Sequence, residues 1–104
     1  MTQPTTWYVL LHTPGPAVPA GETVYDQPGF AEHVAFLRRR ADAGELVAAG
    51  PLADPAGADG GDGLTVLDVA SLDEARRLAR EDDRSVVAGV LSVTVRPWNV
   101  RMSR

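Results

Sequence analysis

The stretch PGFAEHVAFLRRRADAGELVAAGPL, residues 28–52, predicts a helix that leads through a turn into a short strand. Proline is favoured in the first turn of a helix and glycine just after its end. The helix is therefore expected to run from about Pro28 to Ala43, with Gly44 as its stop. Apolar residues recur along it at helical spacing and predict its buried stripe. They are Phe30, Val34, Leu37 and Ala41.

His33 lies on the shoulder of this stripe, about 60° round the helix. Imidazole has an unperturbed pKa of about 6.5, so it can act as an acid or a base near neutrality. One interpretation of His33 is a boundary histidine that hydrogen-bonds a backbone carbonyl. The other is a functional group with protein on one side and a cavity on the other. Its position along the helix leaves both open.

The segments outside this stretch alternate between strand and helix signals. TTWYVLLHT, residues 5–13, predicts a first strand that ends at a long proline-rich loop beginning with PGPAVP. ELVAAG predicts a second strand closed by Gly50-Pro51, ADPAGADGGDG a flexible loop, and LTVLDVA a third strand. Ser71 and Glu74 form a capping-box pattern that opens a second helix. DDRSVVAG predicts a turn, and VLSVTVRPW a last strand ended by Pro97.

The order β-α-β-β-α-β is typical of an α+β, ferredoxin-like fold in a single domain, residues 1–104. Such a fold has a four-stranded antiparallel sheet with both helices on one face, and its first and third strands are central. The first strand is apolar on both faces, with Trp7, Val9 and Leu11 on one and Tyr8 and Leu10 on the other. Helices cover only one face. We therefore expect a homodimer in which the second faces of two sheets meet.

The composition excludes several kinds of chemistry. The 104-residue chain has a net charge of −4 and no lysine or cysteine, so a Schiff base, a P-loop, a disulfide and a zinc–thiolate site are ruled out. Its charge gives no support to nucleic-acid binding. MTQPTT lacks the pattern of a signal peptide, and no apolar run has the length of a membrane span, so a cytoplasmic protein with no membrane association is expected.

A few other residues are candidates for a site. His12 ends the first strand and could meet a ligand there. Asp82 and Asp83 follow the second helix, where a carboxylate opposes the helix dipole, so the doublet is either a solvated turn or is held by a partner such as a histidine or an arginine. Trp98 is either a core or interface residue or a substrate platform. A metal site from His12, His33 and one carboxylate would have the composition of a facial triad, but nothing in the spacing calls for it, so neither a metal nor a cofactor is predicted.

The sequence resembles the YciI-like (YCII-related) family of small α+β proteins along nearly its whole length. The resemblance rests on the order and spacing of several segments: WYVLLHTPGP, HVAFL, AGELVAAGPL, SLDEARRLA and DDRSVVAGVLSVTVRPW. It implies a ferredoxin-like fold that dimerises through its sheets, as in dimeric α+β barrels. It also implies a cleft with a histidine–aspartate pair proposed as an active site.

By this resemblance the histidine is His33 and the aspartate is Asp83, although Asp82 fits better when counted from the start of the helix. The family usually has Asp-Pro where this chain has Asp83-Arg84. The Gly50-Pro51-Leu52 turn would line the cleft, and His12 and Trp98 are further candidates for contact with a substrate. Three hypotheses follow: a cofactor-independent acid–base enzyme acting on a small molecule, a non-catalytic ligand-binding or accessory dimer, and a purely structural dimer.

Overall fold

The computed structural model describes residues 5–104; the expectation about a signal peptide rests in part on residues 1–4, which lie outside the described residues. The four strands and three helices follow one another as β1 Thr5–Pro14, α1 Phe30–Asp42, β2 Leu46–Ala53, β3 Asp59–Leu67, α2 Leu72–Arg77, α3 Arg84–Val87 and β4 Leu91–Val100. A 3-10 turn, Val24–Asp26, precedes α1, and a π-helical turn, Leu78–Asp82, joins α2 to α3. No helix within residues 5–104 is long and apolar enough to cross a membrane.

The four strands form one antiparallel sheet in the order β2-β3-β1-β4. The first and third strands are therefore central and β4 is an edge, which confirms the predicted ferredoxin-like α+β fold. Tyr8 and Leu10 on β1 are buried, while Trp7 and Val9, which alternate with them, are only partly buried. Because side chains alternate along a strand, these two pairs lie on opposite faces. The main core lies on the helix side and consists of Leu10, Phe36, Leu67, Leu78 and Ala79.

Helix α1 packs on the sheet through a stripe that matches the predicted one only in part. Phe30 and Leu37 are partly buried and pack against the core clusters, as predicted. The buried residues of the helix are His33 and Phe36, however, whereas Val34 is 37% exposed. The prediction is wrong at Val34 because it was counted from apolar side chains alone. The bulkiest side chain that reaches the sheet is Phe36, and it turns the helix so that His33, three residues earlier, faces inwards with it. His33 therefore lies on the buried face of the helix rather than on its shoulder.

Three strands extend further than the sequence predicts. β2 continues through Gly50 and Pro51, β3 begins within the predicted flexible loop, and β4 continues past Pro97 to Val100. Proline was expected to end the strands because it has no N–H for the ladder. Both prolines lie on edge strands, where an N–H can face solvent and its loss breaks no pairing.

The second helical segment is more divided than predicted. The Ser71 hydroxyl accepts a hydrogen bond from the Glu74 N–H at 3.1 Å and begins α2 as expected, but the Glu74 carboxylate accepts hydrogen bonds from Arg77 at 2.7 and 3.0 Å instead of reaching back. The predicted turn DDRSVVAG contains the short helix α3. The helix is interrupted because the π-helical turn inserts extra backbone just before Asp83, and this determines where that side chain lies.

Candidate active site

A buried histidine–aspartate pair lies between α1 and the segment before α3. His33 Nδ1 is 2.7 Å from Asp83 Oδ2, and the two residues are 9% and 0% exposed. α1 presents His33 from its buried face. Asp83 comes from the opposite side, directly after the π-helical turn, where its backbone is extended. Two residues 50 positions apart in the chain are thus in direct contact.

Asp83 is held by the start of α3 as well as by His33. It is the N-cap of that helix, and its Oδ1 accepts hydrogen bonds from the Ser85 N–H at 3.0 Å and from the Ser85 hydroxyl at 2.6 Å. Aspartate is a preferred N-cap residue because its carboxylate satisfies the free N–H groups of the first turn. One oxygen is therefore used to begin the helix, and the other is left for His33.

The charge state of Asp83 determines which nitrogen of His33 carries a proton. Burial alone would raise the pKa of Asp83, but the hydrogen bonds from His33 and Ser85 and the two nearby imidazoles lower it, and the pKa lies below its usual value. Asp83 is therefore ionised at neutral pH and can only accept hydrogen bonds. A hydrogen bond to this carboxylate requires the proton to be on His33 Nδ1, and the lone pair of a neutral ring is then on Nε2. Within the described part of the chain, Nε2 forms no hydrogen bond.

His12 completes the buried cluster. Its ring packs edge-on against His33 with a centroid distance of 4.7 Å, and its Nε2 lies 3.9 Å from Asp83 Oδ2, too far for a hydrogen bond. The residue is 2% exposed, and neither ring nitrogen has a hydrogen-bond partner among residues 5–104. Burial and, after it, the neighbouring His33 lower the pKa of His12 to about 4, against an opposing effect of Asp83. His12 is therefore neutral at neutral pH.

The two aspartates of the doublet have different partners. The Asp82 carboxylate pairs with Arg39 at 3.3 Å and with Arg40 at 3.4 Å, and its backbone carbonyl accepts a hydrogen bond from Arg39 at 2.8 Å. Asp83 contacts the histidines. The sequence left open which aspartate would meet His33, and the structure brings Asp83 to it. Asp82 instead connects the π-helical turn to α1 through these contacts with its arginines.

A cavity of about 240 Å³ opens beside His12 and His33. Its walls are mostly apolar side chains and glycine backbone. The lining residues beside the histidines are Val24, Tyr25, Phe30, Val34, Leu37, Gly50, Pro51, Gly61, Asp62, Gly63, Leu64 and Leu91. Gly63 is opposite both His12 and Pro51 in the sheet, so a residue without a side chain stands between them. The missing side chain leaves the gap that this end of the cavity occupies.

Of the residues expected to contact a substrate, His12, Gly50 and Pro51 line this cavity, while Leu52 and Trp98 lie elsewhere. Gly50-Pro51-Leu52 belongs to a strand rather than a turn, so consecutive residues do not all face the cleft, and Leu52 is 41% exposed. Trp98 is opposite Trp7 in the sheet, with their rings 5.8 Å apart. Trp7 faces away from the helices, and directly opposed residues share a face. Trp98 is therefore on the other side of the sheet and does not line this cavity.

Sequence reasoning missed several residues of the site. The sequence predicts a turn at Ser85, yet this residue donates two hydrogen bonds to Asp83. An aspartate followed two residues later by serine is an N-cap signal that could have revealed it. Gly61 and Gly63 were assigned to a flexible loop. No local signal shows that a glycine in a strand stands beside a cavity, because the gap depends on its neighbours in the sheet.

Comparison with known proteins identifies one family. The family model of the YCII-related domain matches residues 6–99. This range is most of the chain and includes all three residues of the buried cluster. No curated protein matches the sequence.

Proposed function

Because the chain belongs to the YCII-related domain family, we propose that it is an acid–base enzyme acting on a small molecule, with His33 as the group that transfers the proton. The observation that carries this proposal is the 2.7 Å contact between His33 Nδ1 and Asp83 Oδ2 beside a cavity. Asp83 has the role of a positioning residue, since it contacts His33 and Ser85.

The protonation states support a base in the resting protein. The ionised Asp83 keeps the proton on His33 Nδ1, which orients the ring and leaves the lone pair on Nε2. When Nε2 accepts a proton from a bound molecule, the ring becomes positively charged beside a carboxylate that stabilises it. The same ring can then return the proton to another atom, as an isomerase or a lyase requires.

The cavity lining supports a small and largely apolar substrate. Valine, leucine, phenylalanine and proline side chains form most of the wall, and no arginine is among the lining residues. The chain has no lysine. Arg39 and Arg40, on the helix that carries His33, are engaged with Asp82 and Glu45. A substrate whose binding depends on a phosphate or carboxylate group would have no cation to meet it there.

Hydrogen exchange in heavy water tests the proposed function. A panel of small uncharged carbonyl compounds is incubated with the protein in D₂O, and deuterium incorporation next to the carbonyl is followed by NMR. We expect the wild-type protein to catalyse exchange in at least one compound, and His33→Gln to slow it by about 100-fold or more, as loss of a general base does. Glu32→Gln, an exposed neighbour on the same helix, should leave the rate unchanged.

Two results would contradict this function. Exchange that continues at the wild-type rate in a folded His33→Gln variant would show that His33 does not move the proton. Binding of panel compounds in the cavity without any exchange would instead favour the alternative of a non-catalytic ligand-binding or accessory protein. The cytoplasmic location stays a prediction.

We also propose that two copies of the chain associate through the uncovered face of the sheet. Trp7, Val9 and Leu11 on β1 lie on the face opposite the helices, and Trp98 on β4 is 44% exposed beside them. A central strand with an apolar uncovered face is stabilised when a second sheet excludes water from it. The matching second face is available on another copy of the same chain.

Introducing a charge on this face should separate the copies. We expect sedimentation at micromolar concentration to show a mass of two chains for the wild-type protein and of one chain for Trp98→Arg. Val87→Arg is the matched control, because Val87 is 50% exposed but lies on α3, in the helix layer. It should remain dimeric. A wild-type mass of one chain, or a dimer that Trp98→Arg leaves intact, would show that this face is not the interface.

A further inference from the structure

The buried cluster at the end of the cavity has the composition of a metal site. His12, His33 and Asp83 each present one potential ligand atom within 4.8 Å of the other two, and all three residues are buried. Two imidazoles and one carboxylate are a known ligand set for divalent first-row transition metals, including iron, cobalt and zinc. The residues come from β1, α1 and the start of α3, which is why their spacing in the sequence does not reveal the set.

The buried ring of His12, which has no hydrogen-bond partner among residues 5–104, is the observation that points to a ligand. Both of its ring nitrogens are buried. Leaving a buried polar group unsatisfied costs about 1–3 kcal/mol, so proteins seldom retain one without a reason. The proposed acid–base reaction gives His12 no role. A neutral imidazole with a free nitrogen facing a carboxylate is the form in which histidine binds a metal.

The distances fit an ion after small adjustments. Ligand atoms about 2.0–2.2 Å from an ion are separated from one another by about 3.0–3.5 Å. In the structure, Asp83 Oδ2 is 2.7 Å from His33 Nδ1 and 3.9 Å from His12 Nε2, which lie on either side of that range. Entry of an ion needs a slight opening of the first pair and a slight closing of the second.

The surroundings of the cluster suit such a site. Ser85 donates two hydrogen bonds to Asp83 Oδ1, which leaves Oδ2 directed at the histidines. In metal proteins, residues that do not bind the ion themselves commonly orient its ligands by such hydrogen bonds. The rings of Phe30 and Phe36 lie 5.7 and 6.2 Å from the ring of His33 and keep its surroundings apolar. The cavity beside the histidines leaves room for further ligands of the ion, such as water.

We propose that His12 Nε2, His33 Nδ1 and Asp83 Oδ2 bind one divalent transition-metal ion. The ion replaces the proton on His33 Nδ1, and the metal-bound neutral ring carries its proton on Nε2 instead, so Nε2 no longer has a free lone pair. The metal-bound protein and the resting form of the acid–base enzyme therefore exclude each other, and a metal that binds here inhibits proton transfer by His33. Magnesium and calcium are not expected to bind, because they prefer oxygen ligands.

Metal titration of the purified, untagged protein tests this site without any substrate. After treatment with EDTA, the protein is titrated with Co²⁺ and with Zn²⁺ by calorimetry, and visible absorption is recorded for Co²⁺. We expect one ion per chain. His12→Gln should weaken binding by at least about tenfold, because even the loss of a residue that only hydrogen-bonds a metal ligand has an effect of this size. Glu32→Gln should have no effect.

Binding of neither ion, or equal affinity in wild type and a folded His12→Gln variant, would overturn the proposal. Should His12→Gln fail to fold, imidazole ¹⁵N NMR of the wild-type protein decides the matter. One equivalent of Zn²⁺ should then shift the nitrogen resonances of both histidines, and a shift of neither or of only one would contradict the site. These outcomes do not depend on whether the hydrogen-exchange test succeeds.

Discussion

Replacing Asp83 by alanine is expected to lower the free energy of unfolding by about 3–5 kcal/mol, the usual result of removing one partner from a buried charged pair. The Asp83 carboxylate is fully buried and accepts hydrogen bonds from His33 Nδ1, the Ser85 N–H and the Ser85 hydroxyl. Alanine leaves all three donors without an acceptor, and α3 loses its N-cap. In a chain of this size the melting temperature should fall by more than about 10 °C, which differential scanning calorimetry measures.

Asp82→Ala is the matched control, since it removes the same group from the preceding residue. The Asp82 side chain is 31% exposed, and its pairs with Arg39 and Arg40 lie at 3.3 and 3.4 Å near the surface. Ion pairs of this kind contribute about 0–1 kcal/mol. We expect a small effect for Asp82→Ala and a large one for Asp83→Ala. Equal losses in the two variants would mean that the buried pair does not contribute to stability as the structure implies.

Gly15→Ala is expected to destabilise the protein by about 3 kcal/mol or more. A Cβ atom at Gly15 would lie 2.1 Å from the carbonyl oxygen of Gly89 and 2.7 Å from its carbonyl carbon. Both are backbone atoms, so no side-chain rotation relieves the contact. The two backbone segments would have to move apart. This would break the hydrogen bonds from the Gly15 N–H to the Val90 carbonyl, at 2.8 Å, and from the Ala17 N–H to the Gly89 carbonyl, at 2.9 Å.

Gly60→Ala provides the comparison, because a Cβ at Gly60 has no neighbour within 4 Å. Its effect should stay within about 0.5 kcal/mol, as for most surface substitutions. Urea unfolding of the two variants measures the difference. If Gly15→Ala unfolds at the wild-type urea concentration, the close approach of the two backbone segments is not required by the fold. The contact is important for the site because it joins the strand that carries His12 to the turn that follows α3.

The architecture could be predicted from the sequence because it depends on local patterns. The aromatic and β-branched residues of strands such as TWYVLL, the proline and glycine at the ends of the first helix, and the Ser71 cap each act over a few residues, and their order determines the fold class. The predicted strand ends were wrong where the position of a residue in the sheet decided whether the strand could continue through it. Pro51 and Pro97 were read as strand ends, yet they are tolerated because their strands are at the edges of the sheet.

The residues of the candidate site could likewise be predicted only in part from the sequence. The sequence by itself excluded thiol and lysine chemistry and offered two histidines for proton transfer, because the chain has two histidines and no cysteine or lysine. Resemblance to a family pointed to His33 and to one of two adjacent aspartates. Only the tertiary structure decided between the aspartates, since the π-helical turn directs Asp83 inwards to His33 and leaves Asp82 to the arginines.

Tertiary structure also decided the position of His12, which at the sequence level was an ordinary strand-end residue. It lies 3.9 Å from Asp83 because β1 is central in the sheet and passes beneath α1 and α3. Secondary structure follows from interactions over a few residues, and these can be read along the chain. The distance between residues 12, 33 and 83 depends on how three separate elements pack, and no local pattern contains that information.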